Sequence, residues 1–431
     1  MSKPPRSTPR VPHSARRAAA VPAGATSRRI ARLAAAASLL FGAAACSGDD
    51  PTDPGDGGGD GTGEPVTLAV RGLGEIAGRF TGEVAVRGNT AYTTTWGRRG
   101  VTVGNALYVW DVSGATPALV DSVFVEDAIT LGDVQVSDDG ALLMVATEFD
   151  PGSVVLYRLT DPRKPQRIAR FTSPSTASGV HTAKFGRVGG TLYAFLSVDP
   201  SPARLVVLDL ADPAAPREVL AREMGRPFLH DVFVRDGLLF TALWHDGLTI
   251  WDVGGGGRGG TPSNPVQLGN VRTVGGSVHN IAWVHLPAGG RRYAWVGEEG
   301  PGSVTGRNSS GDIHVVDVTD MTAPREVAFL HVPGAGVHNF AVDEDAGVLY
   351  AAYYNAGVRA LDVRGDVGGC DAAHRATDGR CDLAKTGRVL ATALTGRTEP
   401  VFVWGVALEG GSLYASDMWN GIWKVGALGR E

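Results

Sequence analysis

One pattern recurs along this chain of 431 residues. A short apolar run ends in Asp, a turn follows, and a proline precedes the next apolar run. The clearest copies are residues 108–117, 207–216 and 315–324, and looser copies stand at 156–162, 250–253 and 360–363. A period of about 40–50 residues made of short strands is typical of propellers and other repeat arrays. The pattern therefore favours a repeat fold, and such folds usually act through a surface.

Residues 66–428 alternate short apolar runs with Gly, Asn and Asp turns, which predicts an all-β fold. Each repeat divides into four strands, and Asp246-Gly247 and Asn420-Gly421 stand where a tight hairpin joins the second strand to the third. Four-stranded sheets at this period are propeller blades. The sequence therefore predicts a seven-bladed β-propeller of antiparallel blades, with six blades as the alternative count. The predicted first strands lie at 83–86, 133–136, 182–185, 231–234, 280–283, 339–342 and 403–406.

The last repeat has three strands, at residues 403–408, 412–417 and 421–425, and lacks a fourth. Residues 73–80 resemble the fourth strand at 324–330 and precede the first blade. We therefore expect the N-terminal segment to complete the last blade and close the ring. Closure removes the open sheet edges that invite aggregation.

The first 46 residues are typical of a targeting segment. Arg28, Arg29 and Arg32 lead into an apolar run at 33–42, which is too short to span a bilayer. Small residues then precede Cys46, as in the lipobox of bacterial lipoproteins, where the cysteine is acylated and becomes the new N-terminus. An ordinary signal peptide cut nearby is the alternative. Residues 47–65 are rich in Gly, Asp and Pro and predict a disordered tether, which leaves 66–431 for the propeller.

Charge limits the partners of the chain. Eight of the 40 basic residues and none of the 45 acidic residues lie in the first 46, so the remainder carries a net charge of about −13. An acidic domain argues against nucleic acid as a partner. The targeting segment and the lipobox-like Cys46 predict a location in the bacterial cell envelope, at the outer membrane or cell surface, with the lipid as the contact to the membrane.

Two cysteines besides Cys46 lie in a Gly-rich insertion at 366–385. Cys370 and Cys381 are eleven residues apart, and an exported protein is in oxidising surroundings, so we expect a disulfide. A metal site formed by Cys370, His374 and Cys381 is the alternative, although this spacing fits no usual zinc pattern.

The repeated Asp-Val-x-Asp-Pro-x-x-Pro pattern resembles the LVIVD repeat of bacterial and archaeal exported proteins. The resemblance covers most of residues 84–425 and is clearest at 207–216 and 315–324, whereas Arg158 and Lys424 replace the repeated Asp. It implies a propeller and export, and no reaction. Trp110-Asp111 and Trp251-Asp252 resemble the WD40 dipeptide, but the Gly-His spacing of that family is missing.

Aligning the blades produces two columns of chemically active residues. The position before each first strand holds a histidine in four consecutive blades, and the next position holds mostly oxygen-bearing side chains. Converging imidazoles could bind a divalent transition metal, with the oxygens behind them, or the oxygens alone could bind Ca²⁺. The alternative is structural, with each His bonding a carbonyl of the neighbouring blade. The columns are Gly82, Gly132, His181, His230, His279, His338 and Phe402, followed by Glu83, Asp133, Thr182, Asp231, Asn280, Asn339 and Val403.

The turns after the second strands fall on the same face as these histidines. They carry acidic and aromatic residues, a combination that suits a protein, peptide, carbohydrate or cation ligand. For Asp246 and Asn420, each before Gly, a role as turn former is preferred. The candidate ligand-binding residues of this rim are Trp96, Asp150, Asp199, Trp244, His245, Glu298, Glu299, Tyr354, Asp417 and Trp419, with Glu148 and Asn355 beside them.

The function predicted from the sequence is a lipid-anchored, exported propeller that acts as a binding module through its His-bearing face. A metal-dependent enzyme that uses the His-rich channel is one alternative, and an accessory subunit of an envelope complex is another. No Gly-x-Ser-x-Gly, His-Glu-x-x-His or phosphate-loop motif occurs in a fitting context. Enzymatic activity therefore stays open, with a binding role favoured.

Overall fold

The computed structural model describes residues 66–98, 101–199, 202–224, 227–286, 290–300, 309–394 and 400–428. These residues form seven sheets, and the first strand of each sheet packs against the first strands of its neighbours until the seventh meets the first. The predicted seven-bladed β-propeller is confirmed. The predicted signal peptide, Cys46 and the tether lie outside the described residues. Within those ranges, no helix has the length and apolarity needed to cross a membrane.

The first four blades follow one another along the chain, and each has four antiparallel strands. Blade 1 comprises Phe80–Arg87, Thr90–Trp96, Ala106–Asp111 and Ala118–Phe124; blade 2 Thr130–Val136, Leu142–Glu148, Ser153–Arg158 and Gln166–Phe171; blade 3 Thr182–Val188, Thr191–Val198, Arg204–Asp209 and Arg217–Glu223; blade 4 Asp231–Arg235, Leu238–Ala242, Leu248–Asp252 and Val266–Val271.

Blades 5 and 6 each gain a short parallel strand on the outer edge, and blade 7 takes its fourth strand from the N-terminal segment. Blade 5 comprises Val278–Val284, Tyr293–Glu298, Ile313–Asp317, Arg325–Leu330 and the added Cys381–Asp382; blade 6 Phe340–Asp343, Val348–Ala352, Val358–Asp362, Val389–Ala393 and the added Val66–Thr67; blade 7 Val403–Glu409, Ser412–Asp417, Gly421–Gly426 and Val70–Gly74.

The N-terminal segment closes the ring as predicted, but with different bounds. The closing strand is Val70–Gly74, antiparallel to Gly421–Gly426, and not residues 73–80. Phe80 instead begins the first strand of blade 1. The prediction compared side-chain patterns and placed the strand too far along the chain, because the turn between the two strands also carries an apolar residue, Ile76.

The repeated Asp residues form turns at the end of the third strands in which they occur. The Asp209 carboxylate accepts from the backbone N–H of Ala211 at 2.9 Å. Asp212 then accepts from Ala214 at 3.0 Å, which makes a second turn of the same kind. Asp317 and Asp320 repeat this arrangement in blade 5. Two successive Asx turns followed by a proline redirect the chain to the fourth strand, so the repeated pattern serves the scaffold.

Lys424 departs from this pattern because blade 7 has no such connection. Its fourth strand arrives from the N-terminal segment, so no turn is required after the third strand. The Lys424 ammonium instead donates to the carbonyls of Val112 and Gly114 in blade 1, at 2.7 and 2.9 Å. The departure therefore ties the last blade to the first.

The apolar core is divided into clusters between neighbouring blades. Trp295 of blade 5 packs with Leu349 of blade 6, and Trp423 of blade 7 packs in the adjoining cluster between blades 6 and 7. Trp110 of blade 1 packs with Ile422 of blade 7 across the seam. Burial of one such large side chain contributes about 1.5–3 kcal/mol. This core fixes the blades radially and leaves the first strands to line the axis.

The insertion after the third strand of blade 6 is held by the predicted disulfide between Cys370 and Cys381. A short 3-10 helix, Ala372–His374, lies inside the closed loop. Since both sulfurs are bonded to each other, the alternative metal site with His374 is wrong. The strand Cys381–Asp382 pairs with Arg325–Leu330 and covers the outer edge of blade 5.

Candidate metal centre at one end of the axis

The four aligned histidines lie side by side at the entrance to the axis. Ring centroids are 4.2 Å apart for His181 and His230, 4.1 Å for His230 and His279, and 4.2 Å for His279 and His338. Each precedes or begins the first strand of its blade, from blade 3 to blade 6. We call these four residues the histidine row. The alignment of the repeats thus placed the four side chains in contact, although they form a row and not a ring around one point.

The hydrogen bonds of the row only partly agree with the structural alternative. His338 Nδ1–H donates to the Trp404 carbonyl of the next blade at 2.8 Å, as a blade-locking histidine would. His279 is 2% exposed, and within the described ranges neither of its ring nitrogens has a hydrogen-bond partner; the same is true of His230 Nδ1. An unpaired buried polar atom costs about 1–3 kcal/mol. This cost indicates a role other than locking blades for these two residues.

Three carboxylates lie beside His181, His230 and His279. Glu148 and Asp199 lie 3.3 and 3.8 Å from His181 Nδ1. Glu299 Oε2 lies 3.6 Å from His230 Nε2 and 3.7 Å from His279 Nε2. Asp199 and Glu299 come from the predicted rim, so the rim and the histidine column are one site.

A blade without histidine makes room for one of these carboxylates. Gly132 occupies the histidine position in blade 2, and a Cβ there would stand 2.6 Å from Glu148 Oε1 and 2.5 Å from the His181 carbonyl. Any larger residue would displace the Glu148 side chain. The gap in the column is therefore part of the site.

These residues form two overlapping ligand sets. His181, Asp199 and His230 offer three ligand atoms within 4.8 Å of one another, and His230, His279 and Glu299 do the same. We call them the outer set and the inner set. Imidazole and carboxylate ligands suit zinc, copper, iron or nickel better than Ca²⁺, so the residues present fit a transition metal.

The four histidines of the row differ in pKa. Burial lowers the pKa of His338 to about 3. Burial also lowers the pKa of His230 and His279 well below the usual value, and the nearby histidines add to the effect. Burial opposes charge on His181 as well, but Asp199 and Glu148 outweigh it and raise its pKa to about 10. Three imidazoles are therefore neutral at pH 7, which is the form that ligates metals.

Aromatic side chains also pack against the row. Trp244 stacks on His230 and Trp404 stacks on His338, each with centroids 5.2 Å apart. The Tyr354 hydroxyl donates to Glu299 at 2.7 Å and so orients that carboxylate. Trp244 and Tyr354 both have positive φ, 49° and 38°, a costly conformation for large residues that is concentrated at functional sites. Phe402, in the histidine position of blade 7, packs on Tyr354.

The other predicted rim residues lie away from the row. Trp96 and Trp419 pack on Phe80, the His245 ring contacts the Gly276 carbonyl, and Asp150 is exposed. Asp417 accepts from the backbone of Trp419 and Asn420 and forms a turn.

Glu298 is among the predicted rim residues, but its side chain turns away from the histidine row. Its carboxylate lies 3.1 Å from His314 Nε2, inside blade 5. It also accepts from the Thr273 hydroxyl at 2.6 Å. Consecutive strand residues point to opposite faces, so Glu298 and Glu299 diverge.

A second polar layer lies one residue further along the first strands. Lys184 Nζ lies 3.3 Å from Asp133 and 3.9 Å from Asp231. The predicted oxygen column therefore already contains a cation, which is an argument against Ca²⁺ there. Lys184 was missed by the sequence analysis, although it is the charged residue in an otherwise uncharged column of the first strands, at positions 85, 135, 184, 233, 282, 341 and 405.

Glu83 joins this layer to the histidine row. It lies 3.4 Å from His338 Nδ1 and accepts from Asn339 Nδ2 at 2.8 Å. Gly405 permits this reach across blade 7, since a Cβ there would stand 2.4 Å from Glu83 Oε2. Burial, with Asp133 adding, raises the pKa of Glu83 to about 8. Beyond this layer the axis widens into a cavity of about 970 Å³ that all seven first strands line.

Comparison with solved structures agrees with this architecture. The C-terminal WD40 domain of Sif2 superposes with a TM-score of 0.52 over 85% of this chain and 100% of that domain, at 9% sequence identity. At that identity the likeness shows the fold alone. No protein-family model matches the chain, and no curated protein matches it.

Proposed function

We propose that this protein is a metal-binding β-propeller that holds a divalent transition-metal ion at the histidine row, between His230, His279 and Glu299. One observation carries the proposal: His279 is buried without a hydrogen bond at either ring nitrogen, and it faces a carboxylate that Tyr354 orients. A metal ion would satisfy the nitrogen that faces Glu299. The desolvation cost of the unpaired imidazole is then offset when the ion binds.

The surroundings supply an outer contact to one of the three proposed ligands, Glu299. A ligating histidine usually donates its other N–H to a carbonyl or carboxylate, which fixes the ring. His338 has this contact with Trp404, but it is a neighbour of the site and not one of the three ligands. Among the described residues, His230 Nδ1 and His279 Nδ1 have no such partner. The Tyr354 hydroxyl supplies the outer contact to Glu299. With these groups in place, the ion would give the face a Lewis-acidic point for an oxygen- or nitrogen-bearing ligand.

The test is metal binding by the purified, untagged protein after chelator treatment. We expect Zn²⁺ to bind and to raise Tm, with a stabilisation of about 2.7 kcal/mol at 100 times Kd. His279→Gln should abolish the tight site, whereas His331→Gln, at an exposed histidine, should bind as the parent does. Equal binding by the parent and by His279→Gln would overturn the proposal.

The proposed setting is the cell envelope, with a lipid on Cys46 holding the propeller at the membrane. Its support is the sequence: a basic stretch, a short apolar run, small residues before Cys46 and a Gly/Asp/Pro tether. We expect Cys46→Ala to lose labelling by a fatty-acid analogue and to leave the membrane fraction. Retained labelling in that variant would contradict the anchor. Neither outcome would test membership in the LVIVD repeat family.

A second candidate is an interaction module that uses the same face, a role common for propellers. Exposed Phe149 and Phe228 favour it, and Phe228 meets Trp244 edge to face with centroids 5.4 Å apart. Screening the protein against peptide and glycan arrays tests this candidate. Binding that Phe228→Ala removes and His279→Gln leaves intact would favour it over the metal proposal.

A further inference from the structure

We infer that the histidine row holds two metal ions, with His230 between them and one ring nitrogen directed to each. The inference rests on the proposed function and goes beyond it, because a single ion would satisfy the proposal above. The second ion would lie in the outer set, between His181, Asp199 and His230.

The histidine row is too long for one ion to bind His181 and His279 together. Metal–nitrogen bonds of ~2.1 Å bring the ligand atoms of one ion to within about 4 Å of each other. The row has three successive centroid spacings of 4.2, 4.1 and 4.2 Å. Among the described residues, no set of mutually close ligand atoms contains both His181 and His279, whereas His230 belongs to both sets.

The two nitrogens of His230 differ in their surroundings. Nε2 lies 3.6 Å from Glu299, a member of the inner set. Nδ1 is buried and, within the described ranges, has no hydrogen-bond partner. The inner ion would take the first nitrogen and leave the second for the outer ion. A histidine that bridges two ions releases its ring proton to solvent, and the protonated His181 must also release a proton before it can bind the outer ion.

The charge of the site accommodates two ions as well as one. Glu148, Asp199 and Glu299 surround the row, two beside His181 and one beside His230 and His279. Three carboxylates and a bridging imidazolate would balance two divalent ions, whereas three carboxylates and the protonated His181 would balance one.

The two positions differ in access to solvent. The His279 side chain is 2% exposed, whereas those of His181 and Asp199 are 21% and 25% exposed. The inner set has one partly exposed ligand, Glu299 at 21%, and the outer set has two, so the outer ion would exchange faster. The outer ion would be the one that meets an external ligand.

Cu²⁺ titration of the full-length protein tests the inference, with metal content measured after desalting and electron paramagnetic resonance on each sample. We expect two equivalents in the parent and in His331→Gln, with the resonance signal weakened at full loading because the bridged ions couple. His181→Gln should bind one equivalent and show the full signal of an isolated ion. His230→Gln should lose at least tenfold in affinity for both.

The outcomes distinguish this inference from the proposed function. One equivalent in the parent, unchanged in His181→Gln, would overturn the two-ion site and leave the single-ion proposal intact. No binding in the parent would overturn both. Circular dichroism of each variant establishes that the fold is retained. Should His230→Gln not fold, His181→Gln and Asp199→Asn still decide the stoichiometry.

Discussion

Blade 5 contains two buried histidines whose surroundings are opposite. His314, in the third strand, is fully buried with a carboxylate at each ring nitrogen: Glu326 at 2.6 Å and Glu298 at 3.1 Å. His279, in the first strand, is equally buried, yet neither nitrogen is hydrogen-bonded and the Glu299 carboxylate lies 3.7 Å away. The adjacent residues Glu298 and Glu299 thus serve different histidines. Burial alone does not indicate a function, whereas the partners of the buried group do.

The protonation states of His314 and His279 depend on their partners. Burial opposes charge on both imidazoles, but Glu298 and Glu326 outweigh it and raise the pKa of His314 to about 9. For His279 burial prevails, and its pKa falls well below the usual value. His314 is therefore a charged member of a structural network, which Arg380 of the disulfide loop joins through Glu326. His279 is a neutral imidazole suited to a metal.

The largest expected effect is on His314. Removing one partner of a buried ion pair leaves uncompensated charge and costs about 3–5 kcal/mol, so His314→Ala should lower the free energy of unfolding by that amount. Denaturant unfolding in the presence of a chelator measures it. His331→Ala is the control, because an exposed pair contributes about 0–1 kcal/mol. If His314→Ala lost no more unfolding free energy than His331→Ala, the proposed structural role of His314, in contrast to His279, would be contradicted.

The pH dependence sharpens the same comparison. The folded-state pKa of His314 is about 9, against about 6.5 when unfolded. Its contribution is therefore fully present below pH 6.5 and is lost as pH rises through 9, a change of about 3 kcal/mol. We expect the difference in unfolding free energy between the parent and His314→Gln to shrink between pH 6 and pH 9.5. A constant difference would show that His314 is not charged.

The adjacent glutamates give a matched pair of variants. Hydrogen bonds to charged groups contribute about 1.5–3 kcal/mol, so Glu298→Gln should lower the unfolding free energy by roughly that amount and leave Zn²⁺ affinity unchanged. Glu299→Gln should weaken Zn²⁺ at least tenfold with a smaller effect on stability. Chelator-treated protein and Zn²⁺ titration measure the two effects. Weaker Zn²⁺ binding in Glu298→Gln and a larger loss of stability in Glu299→Gln would contradict the different roles of the two glutamates.

The smallest effect is expected at His279 without metal. Replacing an unpaired buried imidazole by an apolar residue of similar size removes its desolvation cost. His279→Leu should therefore change the unfolding free energy of chelator-treated protein by less than about 1 kcal/mol, or raise it. A loss comparable to that of His314→Ala would mean that His279 serves the scaffold.

The sequence was sufficient for the number of blades and for the contact between the four histidines, because both follow from the alignment of the repeats. It was not sufficient for side-chain directions. The sequence predicts both Glu298 and Glu299 at the rim. Only the strand geometry shows that the Glu298 side chain turns away from the histidine row. The pairing of His314 with Glu326 joins two strands of one blade. The other repeats have no equivalent pair, so their alignment does not predict it. Lys184 was visible only as an exception in a column of uncharged residues.

The seam of the ring also bears on how the protein folds. Val70 pairs with Val425, so this contact joins the two most distant parts of the propeller. Contacts within blades 1 to 6 are mostly local in sequence and form early, whereas long-range strand pairing is slow. We therefore expect closure of blade 7 to be the last step. Until Val70–Gly74 docks, the partly assembled ring would present an open edge at each end and could aggregate there.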